Sequence, residues 1–362
     1  LLYVLYGRNG EEMARVMLDR LDVAREIAML GKQRPLVAIK PNLVVAQPAE
    51  WGATASPGLA RGVVSYLLEN GVSNLVIMES SWVGECTKRA FASCGYRELS
   101  REFGVPLLDL KDEPGVPVRS ADMEIRICRA ALQADYLINM PVLKAHSQTK
   151  MTCALKNLKG CIPDSEKKRF HRLGLHRPIA ALNKALPTHL VLVDALCGDL
   201  CHEEGGTPVR MDRIIAGRDP VLVDAYAAEL LGCRPEEIPY LGLAAEFGVG
   251  SASLAADAVI ELNKGAGITG PQRERETTGL QQWITEQQAC SPCFGSLVHA
   301  LHRLREQGKL TFRAQIGVGQ GFRGRHGRIG VGECTAGFDC HVPGCPPKSG
   351  DIKNALEKWL LL

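Results

Sequence analysis

Five cysteines crowd the end of this chain, at Cys290, Cys293, Cys334, Cys340 and Cys345. Thiolates are soft ligands that suit iron–sulfur clusters and zinc, and four of them complete either a cubane or a tetrahedral zinc site. Cys290-Ser-Pro-Cys293 can serve one centre, because a three-residue separation brings both side chains together on a turn or a helix start. Gly332, Gly337 and Gly344 permit tight turns beside Cys334 and Cys345, while Pro346 and Pro347 stop any helix and remove backbone donors. Zinc is the alternative metal, although C-x5-C-x4-C-P-P fits a zinc ribbon poorly. The bland readings are buried free thiols or a redox dithiol at Cys290 and Cys293. The other eight cysteines, from Cys86 to Cys233, sit singly and read as small buried hydrophobes.

A second set of chemistry-bearing residues follows apolar strand-like runs. Lys40 and Asn42 come after Leu36–Ile39, Glu79 and Ser80 after Asn74–Met78, and Lys144 and His146 after Tyr136–Met140. The carboxyl edge of an open α/β sheet is where ligands bind. A lysine point charge with amide and imidazole donors suits a carboxylate or phosphate. Lys150–Lys159 reads as an amphipathic helix offering Lys156 and Asn157, with Gly160 as its C-cap. Asp194 reads as another strand end, and Asp224 as a buried polar residue or a first-turn charge in a helix starting at Pro220. Cys197, Cys201, His202, Glu203 and Glu204 are metal-ligand types, but their spacing matches no standard site and Gly205-Gly206 favours a surface loop. Gly317–Gly324 is not a dinucleotide fingerprint: a strand-like Arg313–Ile316 precedes it, but no helix follows to receive a pyrophosphate.

The elements that must position these residues are legible as alternating patterns. Tyr3–Tyr6, Leu36–Ile39, Asn74–Met78, Tyr136–Ile138, Leu190–Val193 and Arg213–Ile215 read as strands. Glu11–Leu30, Pro57–Glu69 and Pro220–Leu231 carry apolar residues at helical spacing. That alternation predicts an α/β chain of two Rossmann-like parallel-sheet domains, 1–125 and 126–265, followed by a cysteine-rich iron–sulfur segment, 266–362. The 362 residues suffice for such a core, and no fixed-period repeat stands out. With 43 basic against 40 acidic residues, neither nucleic acid nor a membrane surface is the expected partner. No apolar run reaches a membrane span, and the odd count of thirteen cysteines disfavours a disulfide framework, so a cytoplasmic chain is expected.

Two resemblances sharpen these expectations. Lys40-Pro41-Asn42-Leu43, Lys144-Ala-His146, Met151–Gly160, Val193-Asp194 and Asp219–Asp224 resemble the domain of unknown function family numbered 362, often found with iron–sulfur sequences. That family has a distant likeness to the two-domain α/β proteins of the nickel-dependent lactate racemase type, which implies a cleft between domains. The C-terminal cysteine pattern is similar to the proximal-cluster module of nickel–iron hydrogenase small subunits and of the cluster subunit of respiratory complex I. By that resemblance Cys290, Cys293, Cys334 and Cys345 ligate a [4Fe-4S] cluster, and Cys340 is a spare thiol or a replacement for one of the four. The expected function is an iron–sulfur oxidoreductase or reductase component acting on an anionic small molecule, with a redox partner protein. Lys144, His146, Lys156 and Asp194 are the expected catalytic groups, and Lys40, Asn42, Glu79, Asn157 and Asp224 the substrate-binding ones. The alternatives are a non-redox isomerase or lyase with a structural or Lewis-acid cluster, and a plain electron-transfer protein.

Overall fold

The computed structural model describes residues 1–200, 203–255, 257–265, 279–310 and 314–360. The chain divides into two compact units, Leu1–Glu166 with His176–Gly270 and Lys167–Leu175 with Pro271–Leu362.

In the larger unit the strands are β1 (Leu2–Tyr6), β2 (Val37–Pro41), β3 (Leu75–Glu79), β4 (Leu107–Asp109), β5 (Gly115–Ser120), β6 (Met123–Cys128), β7 (Tyr136–Met140), β8 (Lys144–His146), β9 (Lys150–Thr152), β10 (Leu190–Asp199), β11 (Pro208–Gly217) and β12 (Val259–Glu261). Eight of them form one sheet in the order β12-β1-β11-β10-β7-β2-β3-β4, while β5–β6 and β8–β9 are separate antiparallel hairpins. Strands β10, β7, β2, β3 and β4 run parallel. Strand β11 is antiparallel to both neighbours; its return from β10 follows from residues 200–207 being too few for the crossover that a parallel return needs.

Side chains alternate across this sheet. Val37 and Ile39 of β2, Tyr136 and Ile138 of β7, and Leu190 and Leu192 of β10 join one core with Met13, Met17, Leu59 and Val63 from the helices Gly10–Arg20 and Pro57–Glu69. Lys40 and Asn139, register partners on β2 and β7, therefore point to the other face. The helix Pro57–Glu69 starts where its sequence says, with Ser56 Oγ accepting from the Gly58 amide and Pro57 in the first turn.

The α/β class holds, with a correction to its division. Position 125 lies inside β6, and β7 sits between β2 and β10, so strands from both expected Rossmann-like halves share one sheet. The turn-rich stretch around 106–117 ends in a hairpin, not in a break between domains.

The smaller unit carries four short parallel strands in chain order, β13 (Ile284–Glu286), β14 (Ile316–Val318), β15 (Ile329–Val331) and β16 (Cys340–Val342). Ile-Gly-Val-Gly occurs twice, at 316–319 and 329–332, a repeat too short to stand out in the sequence. Its Ile and Val side chains pack on Leu297, Leu301 and Leu304 of the helix Ser291–Glu306 and on Ile352 and Leu356 of the helix Ser349–Leu360. Gly317 and Gly330 leave the opposite face to Phe338, whose ring a Cβ would meet at 2.7 and 2.9 Å. The closing glycines, Gly319 at φ 123 and Gly332 at φ 91, turn the chain into the one-turn 3-10 helices Gln320–Phe322 and Glu333–Thr335. Strand β14 begins at Ile316, later than expected, and Arg313 lies outside the described residues.

Candidate functional site

The four parallel strands of the smaller unit deliver their following residues to one place. Cys290 and Cys293 follow β13, Gln320 follows β14, Glu333 and Cys334 follow β15, and Cys345 follows β16; all line a single cavity. Lys168, Arg323, Gly332 and Gly344 complete its wall. Cys290 is the N-cap of the sixteen-residue helix Ser291–Glu306 and Cys293 lies in its first turn, where the helix dipole favours negative charge. Gly332 keeps the wall thin: a Cβ there would stand 3.6 Å from Cys293 Sγ. Glu333 ties two ends together, its carboxylate accepting from the Gly344 amide at 2.8 Å.

Two donors face the sulfurs. Arg323 Nε donates to Cys334 Sγ at 3.4 Å, and Gln320 Nε2 donates to the Lys168 carbonyl at 3.0 Å and to Cys290 Sγ at 3.6 Å. The Cys334 sulfur, through that bond and its charge, holds the Arg323 guanidinium above its ordinary pKa. Cys340 does not line the cavity; it starts β16 and packs against the core of the unit. Among the described residues no three His, Cys, Asp or Glu side chains form a group that could hold one metal ion.

In the larger unit the polar residues at the carboxyl edge are buried and bonded to one another. Lys40 Nζ donates to the Pro41 carbonyl at 2.9 Å, to Glu79 at 3.0 Å and to Asn157 Oδ1 at 3.3 Å. Glu79 also accepts from the Leu43 and Ser80 amides, and Asn157 Nδ2 donates to Asn139 Oδ1 at 2.7 Å. Asn42 is buried beside them, and its Oδ1 has no hydrogen-bond partner among the described residues.

A second group lies on the β8–β9 hairpin, the short helix Ala154–Asn157 and the loop after β10. Lys144 Nζ donates to the Ala53 and Glu203 carbonyls at 2.6 and 2.8 Å, and burial pushes its pKa down to about 8 against the pull of Glu203. Half-buried Lys156, 3.3 Å from Thr152 Oγ1, is pushed down to about 7, again chiefly by desolvation. His146 Nδ1 accepts from the Gln148 and Thr149 amides, which places the proton of a neutral ring on Nε2, 3.7 Å from Glu203. Burial, then the charge of Glu203, raises Glu204 to about 8.

The two remaining expected residues lie elsewhere. Asp194 is inside β10, not at its end, and accepts from the Ser56 and Leu196 amides; burial raises it to about 6. Asp224 accepts from the Ala154 and Leu155 amides at 2.6 and 3.1 Å, so it caps the turn that presents Lys156 and Asn157 from a neighbouring helix; burial raises it to about 7. The expected helix over 150–159 is instead strand β9, a short helix Ala154–Asn157 and a 3-10 helix Leu158–Cys161, with Gly160 inside the last. Asn139 is the residue that reading by strand ends does not single out, although it carries a signal, an amide alone in an apolar strand. Glu203, expected as a metal-ligand type in a surface loop, is instead buried beside Lys144 and His146. Cys201 and His202 of that loop lie outside the described residues.

Gly160 is needed for close approach. A Cβ there would stand 2.0 Å from Glu79 Oε1 and 2.6 Å from Lys40 Cε. Gly160→Ala is expected to destabilise the protein by about 3 kcal/mol, because a buried ion pair must move. A urea midpoint equal to wild type would show that the segment backs away freely.

Residues 37–229 match the family described as Domain of unknown function (DUF362). The chain belongs to the DUF362 family. In this DUF362 chain the matched stretch holds Lys40, Glu79, Lys144, Lys156, Asp194, Glu203 and Asp224 and stops before the C-terminal cysteines. A relative, Thylakoid-associated protein sll1697 of Synechocystis sp., is 25% identical over 225 residues, 59% of this chain and 68% of its own. The lactate racemase apoprotein from Thermoanaerobacterium thermosaccharolyticum overlaps 53% of this chain and 50% of its own length at 14% identity, with a TM-score of 0.35, too low to bear on the site. Among the described residues no helix is long and apolar enough to cross a membrane.

Proposed function

We propose that this DUF362 protein is an iron–sulfur protein of oxidoreductase type, holding a [4Fe-4S] cluster on Cys290, Cys293, Cys334 and Cys345 and binding an anionic small molecule in its larger unit. The observation that carries the reading is the convergence of these four cysteines on one cavity, whose lining does not include Cys340. The cluster supplies one-electron transfer when bound, with a redox partner protein as source or sink. The helix N-terminus at Cys290 and Cys293, the Arg323 donor to Cys334 and the Gln320 donor to Cys290 would stabilise the negative charge that ligand sulfurs bring to a cluster. The free thiols support a reducing compartment, with the cytoplasm as the proposed location. Anaerobic purification should yield iron and sulfide in cluster stoichiometry with an EPR signal on reduction; zinc without iron would overturn the proposal.

A second reading, a non-redox acid–base enzyme, draws on Lys156. An amine with a pKa of about 7 is divided between base and ammonium near neutrality, as general acid–base work requires. Both readings share an anion held by Lys156 and Lys144. Ammonium is the charged form below the pKa, so affinity for sulfate, whose own charge is constant over this range, is expected to be highest at pH 6 and to fall by about tenfold per pH unit for each lysine required charged as pH rises through 7 and 8. Calorimetric titration showing pH-independent binding across that range would remove both lysines from the site.

A further inference from the structure

We infer that Arg323 sets the reduction potential of the cluster, holding it above the value the four thiolates alone would give. The inference rests on the cluster reading above and goes beyond it in naming what tunes the site. Arg323 follows the first Ile-Gly-Val-Gly repeat, and its Nε reaches Cys334 Sγ, which follows the second, at 3.4 Å. Cys290 and Cys345 line the same cavity wall, so one guanidinium faces thiols from three strand ends. The nearest acid on that wall, Glu333, has Oε1 engaged by the Gly344 amide. Glu333 keeps its charge, but Arg323 and Lys168 outnumber it on the wall, so the side-chain balance apart from the cysteines is positive, with Gln320 adding a neutral donor to Cys290.

Reduction adds one negative charge to a cluster already surrounded by thiolates. A fixed positive charge and an N–H donor on sulfur stabilise the more negative state, and net charge, hydrogen bonds to sulfur and solvent exposure are what set such potentials. Arg323 is exposed, so its charge effect must weaken as salt rises, whereas its N–H bond must not. A residue that only braced the loop would show no such salt dependence.

The test uses the full chain, reconstituted anaerobically, with Arg323→Gln and Arg323→Lys compared with wild type by iron and sulfide content and by EPR-monitored redox titration. Arg323→Gln is expected to keep its iron and to disfavour one-electron reduction by about tenfold, a negative shift of about 59 mV. Arg323→Lys should shift less, and the gap between wild type and Arg323→Gln should narrow in high salt. An iron-replete Arg323→Gln with the wild-type midpoint, or a gap indifferent to salt, overturns the inference and leaves the cluster reading intact. Should Arg323→Gln lose iron, Arg323→Lys decides: full iron with a midpoint near wild type supports tuning by charge, while iron loss in both makes Arg323 an assembly residue and overturns it. A wild type that takes up no iron is a failure of the cluster reading itself.

Discussion

Replacing Cys345 with alanine is expected to abolish most iron retention, whereas replacing Cys340 should leave it unchanged. Cys345 follows β16 and lines the cavity with Cys290, Cys293 and Cys334, so its loss leaves one of four proposed ligand positions without a thiolate. Even changes outside a ligand shell weaken metal retention by about tenfold, and a lost ligand should exceed that. Because metal binding and local folding are coupled, the segment around 332–347 should also become protease-sensitive in Cys345→Ala. Cys340 packs beside the core, and Cys340→Ala removes only a small apolar contact. Iron content and visible absorbance after anaerobic purification decide between the two thiols. Iron lost from Cys340→Ala and kept in Cys334→Ala would preserve the cluster and overturn this choice of ligands.

The second large effect is expected in the larger unit. Lys40 and Glu79 are both buried, 3.0 Å apart, with Asn157, the Pro41 carbonyl and two backbone amides completing their bonds. Glu79→Gln should destabilise the protein by about 3–5 kcal/mol, because it leaves a lysine ammonium in the interior without its counter-charge. The double variant Lys40→Met with Glu79→Leu should recover much of that loss, since apolar side chains of similar volume carry no desolvation penalty. Urea denaturation of the three proteins makes the comparison. A loss below about 1 kcal/mol in Glu79→Gln, the scale of an exposed pair, would mean that the pair does not carry buried charge.

These two residues also show how far residue type and position go by themselves. Lys40 and Glu79 are recognisable as polar residues at the ends of apolar strands, and that placement is correct. Their mutual saturation is not legible, because it depends on β2 and β3 being neighbours and on Asn157 arriving from 117 residues away. Ligand-binding and core-stabilising lysines look alike in one dimension. Lys144 and Lys156 likewise have ordinary surroundings in the chain; only the folding of the β8–β9 hairpin and the loop carrying Glu203 strips their water and lowers their pKa values.

The division of labour follows from the range of the forces involved. Short-range rules, the alternation of side chains along strands, the Ser56-Pro57 helix start and the clustering of five cysteines, determined the α/β class, several element positions and the metal-ligand types. Strand order is a long-range matter, and it merged two expected domains into one sheet by placing β7 between β2 and β10. The same holds for the thiols. The chain supplies five within reach of one another, but the parallel pairing of β13 to β16 sends Cys290, Cys293, Cys334 and Cys345 to one edge and leaves Cys340 at the start of a strand, because a residue just past a strand's carboxyl end and one at its amino end lie on opposite edges of the sheet.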